Sequence, residues 1–444
     1  MAQHGKYGQR GRTADESSLT GLSALSAPSR APVVGAGIII VIALLVIVQM
    51  VRSVPAASLT LTSSSAPLTF PGTIPTLPWS PNGEEAIAID GIGTIGTHGG
   101  NQPEETWSVA KLMTAYIVLK AHPLAPATPG PTLSVTPADV AIYNSDVANG
   151  DSVVPVSAGE SLTERQALEA LLIPSGDNIA PILADWVSGS ETAFVAKMNA
   201  EAALLGMHNT HYADASGVNP ATVSTATDQL KLLETVWNVP TIRHITEMAQ
   251  VTTLPAPSNC PTCIYNNDNM IGHYGFLGGK TGSSTNGAFS FVAQKTIGGQ
   301  PRLIFGTVMG QIAQSTPSLT MPPNANDPLS VIDQAEAAAY NLVNAIESFP
   351  LGKSYLPSGT VLGSISSAWA TGLKAVTSKP ISFYGYPGIH TSMIVRKDKL
   401  GTTIAANQVV ATLTITVGYN STTVNLVAAK AMPAPSLVWK LTRL

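Results

Sequence analysis

The chain has 444 residues, a net charge of −4 and only 11% charged side chains. At about 150 residues per domain it is long enough for two or more domains. So few charges, slightly acidic in balance, leave no basic surface for nucleic acid, and nucleic-acid-binding functions are excluded.

The first predicted element is residues 33–51, VVGAGIIIVIALLVIVQMV, which carry no ionisable side chain and lie between Arg30 and Arg52. At about 1.5 Å per residue this run matches a bilayer core of roughly 30 Å and predicts a transmembrane helix. Lys6, Arg10, Arg12 and Arg30 precede it with Asp15 and Glu16, whereas Arg52 is the one charge between it and Glu84. That basic bias places a tail of residues 1–32 in the cytoplasm and everything beyond the helix outside. The alternative is a secretory signal cleaved after Val54-Pro55-Ala56; the length of the apolar run and of the preceding tail favours a retained anchor, and both readings export the rest.

Residues 52–80 are rich in Ser, Thr and Pro with no charge after Arg52, and read as an unfolded spacer. From Glu85 the texture changes. EAIAIDG and TIGTHG predict two short strands about Asp90-Gly91, and helical periodicity follows over Lys111 to Lys120, Leu162 to Leu172, Asn178 to Val187 and Glu191 to Leu205.

In ETWSVAKLMTAYIVLK, Ser108 and Lys111 stand three residues apart, so on a helix the hydroxyl and amine share a face. By itself the pair reads as a helix-start serine and a snorkelling lysine. A catalytic serine needs a base, and lysine serves only if burial and a second cation favour its neutral form. Such a site calls for another lysine and a hydroxyl that passes the proton on. LLIPSGDNIA offers Ser175 in a loop between two helical runs, and GGKTG, before the strand-like GAFSFVA, offers Lys280 and Thr281.

SVAK, SGDN and KTG, in that order on an exported chain, resemble the three motifs of penicillin-binding proteins and serine β-lactamases. The neighbouring WSVAKLMTAYIVL, LEALLIPSGDNIA, YADASGVNP and GFLGGKTGSSTNGAFSFVA resemble the low-molecular-mass D-alanyl-D-alanine carboxypeptidases, a likeness covering roughly residues 80 to 345. The resemblance implies an α+β transpeptidase-like fold over residues 81–348, a five-stranded antiparallel sheet flanked by helices with a helical region carrying the second motif. It implies Ser108 as nucleophile, Lys111 as its base and Ser175 as proton shuttle. It further implies that Lys280 and Thr281 bind the substrate's terminal carboxylate, and that the backbone N–H groups of Ser108 and of Ser283, after Gly282, form an oxyanion hole. Peptidoglycan stem peptides are then the substrate and β-lactams the inhibitors, with no metal or cofactor.

Two departures stand out. Where the family's second motif has asparagine, this chain has Asp177, which accepts but cannot donate a hydrogen bond to substrate; Asn178, one place on, is the alternative donor, and Asp177 as a mere helix cap is the plain reading. The arginine that many relatives carry after the strand following KTG is missing, with Gln311 and Gln314 in its region. A class A-like β-lactamase is disfavoured because HYADASGVNP holds no glutamate to activate the deacylating water. An endopeptidase preference and a catalytically silent, wall-binding or β-lactam-sensing ectodomain remain the alternatives.

Cys260 and Cys263 lack the context of a redox or zinc motif and suggest a local disulfide outside the cell. Residues 351–444 read as a small β-rich domain: Ala411, Leu413, Ile415, Val417 and Tyr419 alternate with threonines, and ISFYGY and TSMIVRK add strands. A stalk or a partner surface is the modest expectation for it, and SLVWKLTRL is too short to assign as an amphipathic anchor.

Overall fold

A computed structural model describes residues 31–62, 69–251, 254, 264–313, 319–325 and 330–443. Cys260, Cys263 and Gln314 lie outside the described residues.

The apolar run forms one helix, Ala31–Val51, with no acidic residue in its first turn and no basic residue in its last. Its C-terminal carbonyls are met instead by Arg443 from the far end of the chain, whose guanidinium donates to Gln49 O at 2.8 Å and Ser53 O at 3.3 Å. A cation there complements the negative end of the helix dipole. The contact is made possible by a short helix, Leu437–Thr442, capped by Ser436 and wedged by Trp439 against Trp369 with ring centroids 5.4 Å apart. Residues 436–443 are thus a clasp at the foot of the apolar helix.

Five strands build the central sheet in the spatial order Phe276–Ser283, Gly287–Ile297, Gln300–Gln311, Glu84–Ile89 and Gly93–His98, every neighbouring pair antiparallel. Local sequence explains the hairpins, since Gly298-Gly299 and Asp90-Gly91 occupy the turns. On one face the helix Val331–Glu347 lays Ala335, Ala338 and Leu342 on Phe289 and Phe291. Small residues let the helix approach the rings, and each buried Phe contributes about 1.5–3 kcal/mol. On the other face Lys111–Ala121 and Ala226–Val236 pack over Ala86, Ala88 and Val292.

The helical region comprises Pro137–Asn149, Glu164–Leu172, Ile179–Ser188 and Glu191–Leu204. Capping boxes start the first two, Thr136 with Asp139 and Thr163 with Gln166, which fixes where each chain segment enters its helix. The 173–178 loop between the second and third carries SGD into the space above the sheet.

The expectation for residues 52–80 requires correction. Ser58–Leu61 is an edge strand paired antiparallel with Val361–Ser366, Leu59 opposite Ile365, and Leu59, Phe70 and Leu77 are buried. A polar average hides these few apolar residues, which need no core of their own because they dock on one built elsewhere. The sheet they join runs Ser58–Leu61, Val361–Ser366, Leu373–Thr377, Asn420–Ala428, Val409–Val417, Thr391–Lys397. Ala411, Leu413, Ile415 and Val417 face inward as their alternation predicts, but Tyr419 does not: it sits exposed in the turn, its ring against Gly93 of the central sheet.

Candidate active site

Ser108 lies in a single 3-10 turn, Trp107–Ala110, which runs directly into the helix Lys111–Ala121. Trp107 holds a left-handed backbone with φ +46°, a conformation that costs about 1–3 kcal/mol in a non-glycine residue and so must be enforced by its surroundings. Two contacts enforce it. The indole N–H donates to Asn286 Oδ1 at 2.8 Å, and Gly217, itself at φ +88°, presses so close to the Trp107 carbonyl that a Cβ would stand 1.9 Å from it. Any side chain at 217 would push the turn that carries Ser108 away.

Lys111 is fully buried and all three of its N–H bonds are spent: on Ser108 Oγ at 2.6 Å, Asp177 Oδ1 at 2.5 Å and Ser216 O at 3.1 Å. The Ser216 carbonyl is delivered by Asp214, which gathers the backbone N–H groups of Ser216, Gly217 and Val218 and the hydroxyls of Ser216 and Thr222. Asp177 is not a helix cap. Its second oxygen accepts the Ser152 N–H at 3.0 Å, so each oxygen serves one donor.

Asn178 does not substitute for it. That side chain is buried, and its amide is turned to Val154, accepting from N at 3.0 Å and donating to O at 2.9 Å; the expectation that it binds substrate is withdrawn. Gln311 is likewise no replacement for an arginine, because it is buried among Ser80, Asn82 and Met309.

A cavity of about 340 Å³ opens over these groups, with Ser108, Ser175, Asp177, Thr281, Gly282 and Ser283 on its wall. Gly282 permits the KTG strand to approach the turn that carries Ser108, since a Cβ there would meet Thr106 O at 2.9 Å and Ser108 N at 3.1 Å. Ser175 has φ +64° and is almost fully buried. Lys280 lies behind the wall rather than on it, 1% exposed, its amine donating to Thr281 O at 2.8 Å. Burial, aided by the positive charge of Lys111, lowers its pKa to about 7.

This geometry brings the residues of all three motifs to one cavity, and the family's profile matches residues 84–312, which contain them all. The chain belongs to the D-alanyl-D-alanine carboxypeptidase family of serine peptidases. Over 231 residues it is 32% identical to a D-alanyl-D-alanine carboxypeptidase of Mycobacterium tuberculosis, covering 49% of this chain and 78% of that relative. Over 252 residues it is 30% identical to a D-alanyl-D-alanine carboxypeptidase of a Streptomyces species, covering 54% and 81%. The crystal structure of a D-alanyl-D-alanine carboxypeptidase from M. tuberculosis superposes with a TM-score of 0.50 at 26% identity, over 63% of this chain and 96% of the other. As in other D-alanyl-D-alanine carboxypeptidases, the fold is the α+β penicillin-binding type. The family match ends before the C-terminal sheet.

Sequence reasoning missed Asp214, the Ser216 carbonyl and the 149–152 segment that lines the cavity. The ADASG run was readable as a turn organised by an aspartate, but nothing in it pointed to a lysine more than a hundred residues away.

Proposed function

We propose that this protein removes the terminal D-alanine from peptidoglycan stem peptides through an acyl-enzyme on Ser108, and that β-lactams acylate the same oxygen. The observation that carries this reading is the 2.6 Å contact between Ser108 and a Lys111 that also donates to Asp177 and to the Ser216 carbonyl. Lys111 takes the Ser108 proton as the oxygen attacks the carbonyl carbon, and Ser175 relays a proton to the departing amine. The N–H groups of Ser108 and Ser283 receive the developing oxyanion. Thr281 meets the substrate carboxylate on the cavity wall, with the Lys280 ammonium supplying positive potential from behind. Release of D-alanine from a pentapeptide ending in D-Ala-D-Ala tests the reading; a purified protein that releases none contradicts it.

A β-lactamase would need a carboxylate free to activate water. In the 211–220 loop the available one, Asp214, is saturated by five donors, which favours the peptidase.

Asp177 supports a further expectation. Its carboxylate pairs with the Lys111 ammonium, the form that cannot act as a base. Asp177→Asn removes that charge and is expected to speed acylation by a fluorescent penicillin about tenfold at neutral pH, the scale of one lost opposing charge. It should also lower thermal stability, because an amide satisfies only one of the two donors that Asp177 accepts. Stopped-flow rates that stay level or fall between pH 6 and 9 would contradict this role.

We further infer that Ala31–Val51 is a retained single-pass anchor with its N-terminus in the cytoplasm. Supporting this are its length, its lack of ionisable residues and the clasp of Arg443 on its final turn. Protease added to wall-permeabilised cells should remove the catalytic domain and spare an N-terminal tag; a mature chain starting near Ala57 would show a cleaved signal instead.

A further inference from the structure

Beside the catalytic cavity lies a second one, of about 480 Å³, that the proposed chemistry has not used. Asp177 and Val218 belong to the walls of both. Apolar side chains from three elements line the second cavity: Ile142 of the helix Pro137–Asn149, Pro181 near the start of Ile179–Ser188, and Pro220 of the loop that carries Ser216. Asp146 joins them one helical turn after Ile142, on the same face.

The backbone ties Asp146 to the catalytic groups. Asp151 N–H donates to Asp146 O at 2.9 Å, and the next residue is held to Asp177 from both directions, Ser152 N–H donating to Asp177 Oδ2 at 3.0 Å and Asp177 N–H to Ser152 O at 2.7 Å. The other acids in the wall are engaged. Asp177 accepts from Lys111 and Ser152, Asp214 gathers its five donors, and Glu191 accepts the Ala215 N–H at 2.9 Å. The half-buried Asp146 carboxylate has no hydrogen-bond partner among the described residues, and none of the described wall residues is basic.

We propose that this second cavity seats the side chain of the residue that precedes D-Ala-D-Ala in the stem peptide, and that Asp146 selects a side chain ending in an ammonium, as lysine does. The inference rests on the proposed peptidase reading. In that reading the departing D-alanine lies towards Thr281, the retained peptide occupies the rest of the catalytic cavity, and its next side chain passes Asp177 and Val218 into the second. Ile142, Pro181 and Pro220 suit an aliphatic stem, and Asp146 meets the charge at its tip. A side chain that also carried a free carboxylate would face acids and no cation there. Asp146 thus sets specificity without touching the reacting atoms.

The electrostatic surroundings agree in direction. Burial, then the charges of Asp151 and Asp177, push the Asp146 carboxyl up to about 6, against the opposing pull of Lys111. Asp146 is therefore an anion at neutral pH and above, and an ammonium beside it relieves the repulsion among these acids.

Two pentapeptides ending in D-Ala-D-Ala test the inference, identical except that the preceding residue is L-lysine in one and Nε-acetyl-L-lysine in the other. Release of D-alanine gives kcat/KM for each. The unaltered protein should prefer the free amine about fivefold, the scale of a partly exposed ion pair. Asp146→Asn should bring that ratio below about twofold, Asp146→Glu should keep it, and Asp146→Lys should invert it; the lysine variant carries the test if Asp146→Asn does not fold. If the unaltered protein releases D-alanine from neither peptide, the peptidase reading fails and the inference with it. Equal rates on the two peptides, or a preference for the free amine that persists in Asp146→Asn or Asp146→Lys, would overturn the inference and leave the peptidase reading standing.

Discussion

Ser108→Ala is expected to reduce D-alanine release by about four to six orders of magnitude, the scale seen when a covalent nucleophile is removed, with thermal unfolding nearly unchanged. The side chain is only half-buried, and its loss leaves Lys111 its contacts with Asp177 and Ser216. A coupled assay for free D-alanine reads the loss; activity within about a hundredfold of the unaltered protein would mean another residue supplies the acylated oxygen.

Lys111→Arg is the second large effect, a fall of roughly a hundredfold to ten-thousandfold in acylation, which is what a general base contributes. Arginine keeps the charge that Asp177 requires, so the substitution separates chemistry from folding; removing one partner of a buried ion pair outright costs about 3–5 kcal/mol. It cannot be deprotonated at usable pH and therefore cannot accept the Ser108 proton. Folded Lys111→Arg protein, judged by its circular dichroism and melting, that still acylates within a few-fold of normal would remove Lys111 from the role.

The parts of this site that were legible in the sequence are those whose chemistry sits in side chains at short spacing. Ser108 and Lys111 meet because three residues separate them, even though the turn that joins them is 3-10 rather than α-helical. KTG was readable on a strand because β-prone residues and glycines surround it, and Ser175 in a loop because helical periodicity stops on either side. The rest depends on backbone groups and on distance. The Ser216 carbonyl has no side-chain signature, and the Ser152 N–H that fixes Asp177 lies 25 residues from it. Asp177 and Asn178 could not be told apart in the linear chain. Only the fold, by turning the Asn178 amide to Val154, decides which faces the lysine. Residues 58–61 went unrecognised as a strand for a related reason: their partners lie some 300 residues away, and an edge strand needs only one apolar face.

The most direct test of the account is the intact mass of the purified protein after incubation with benzylpenicillin, followed by peptide mapping. A shift by the mass of one inhibitor molecule, carried by the peptide that contains Ser108 and absent from Ser108→Ala, is the predicted result. An unshifted mass, or an adduct on any other residue, would contradict it.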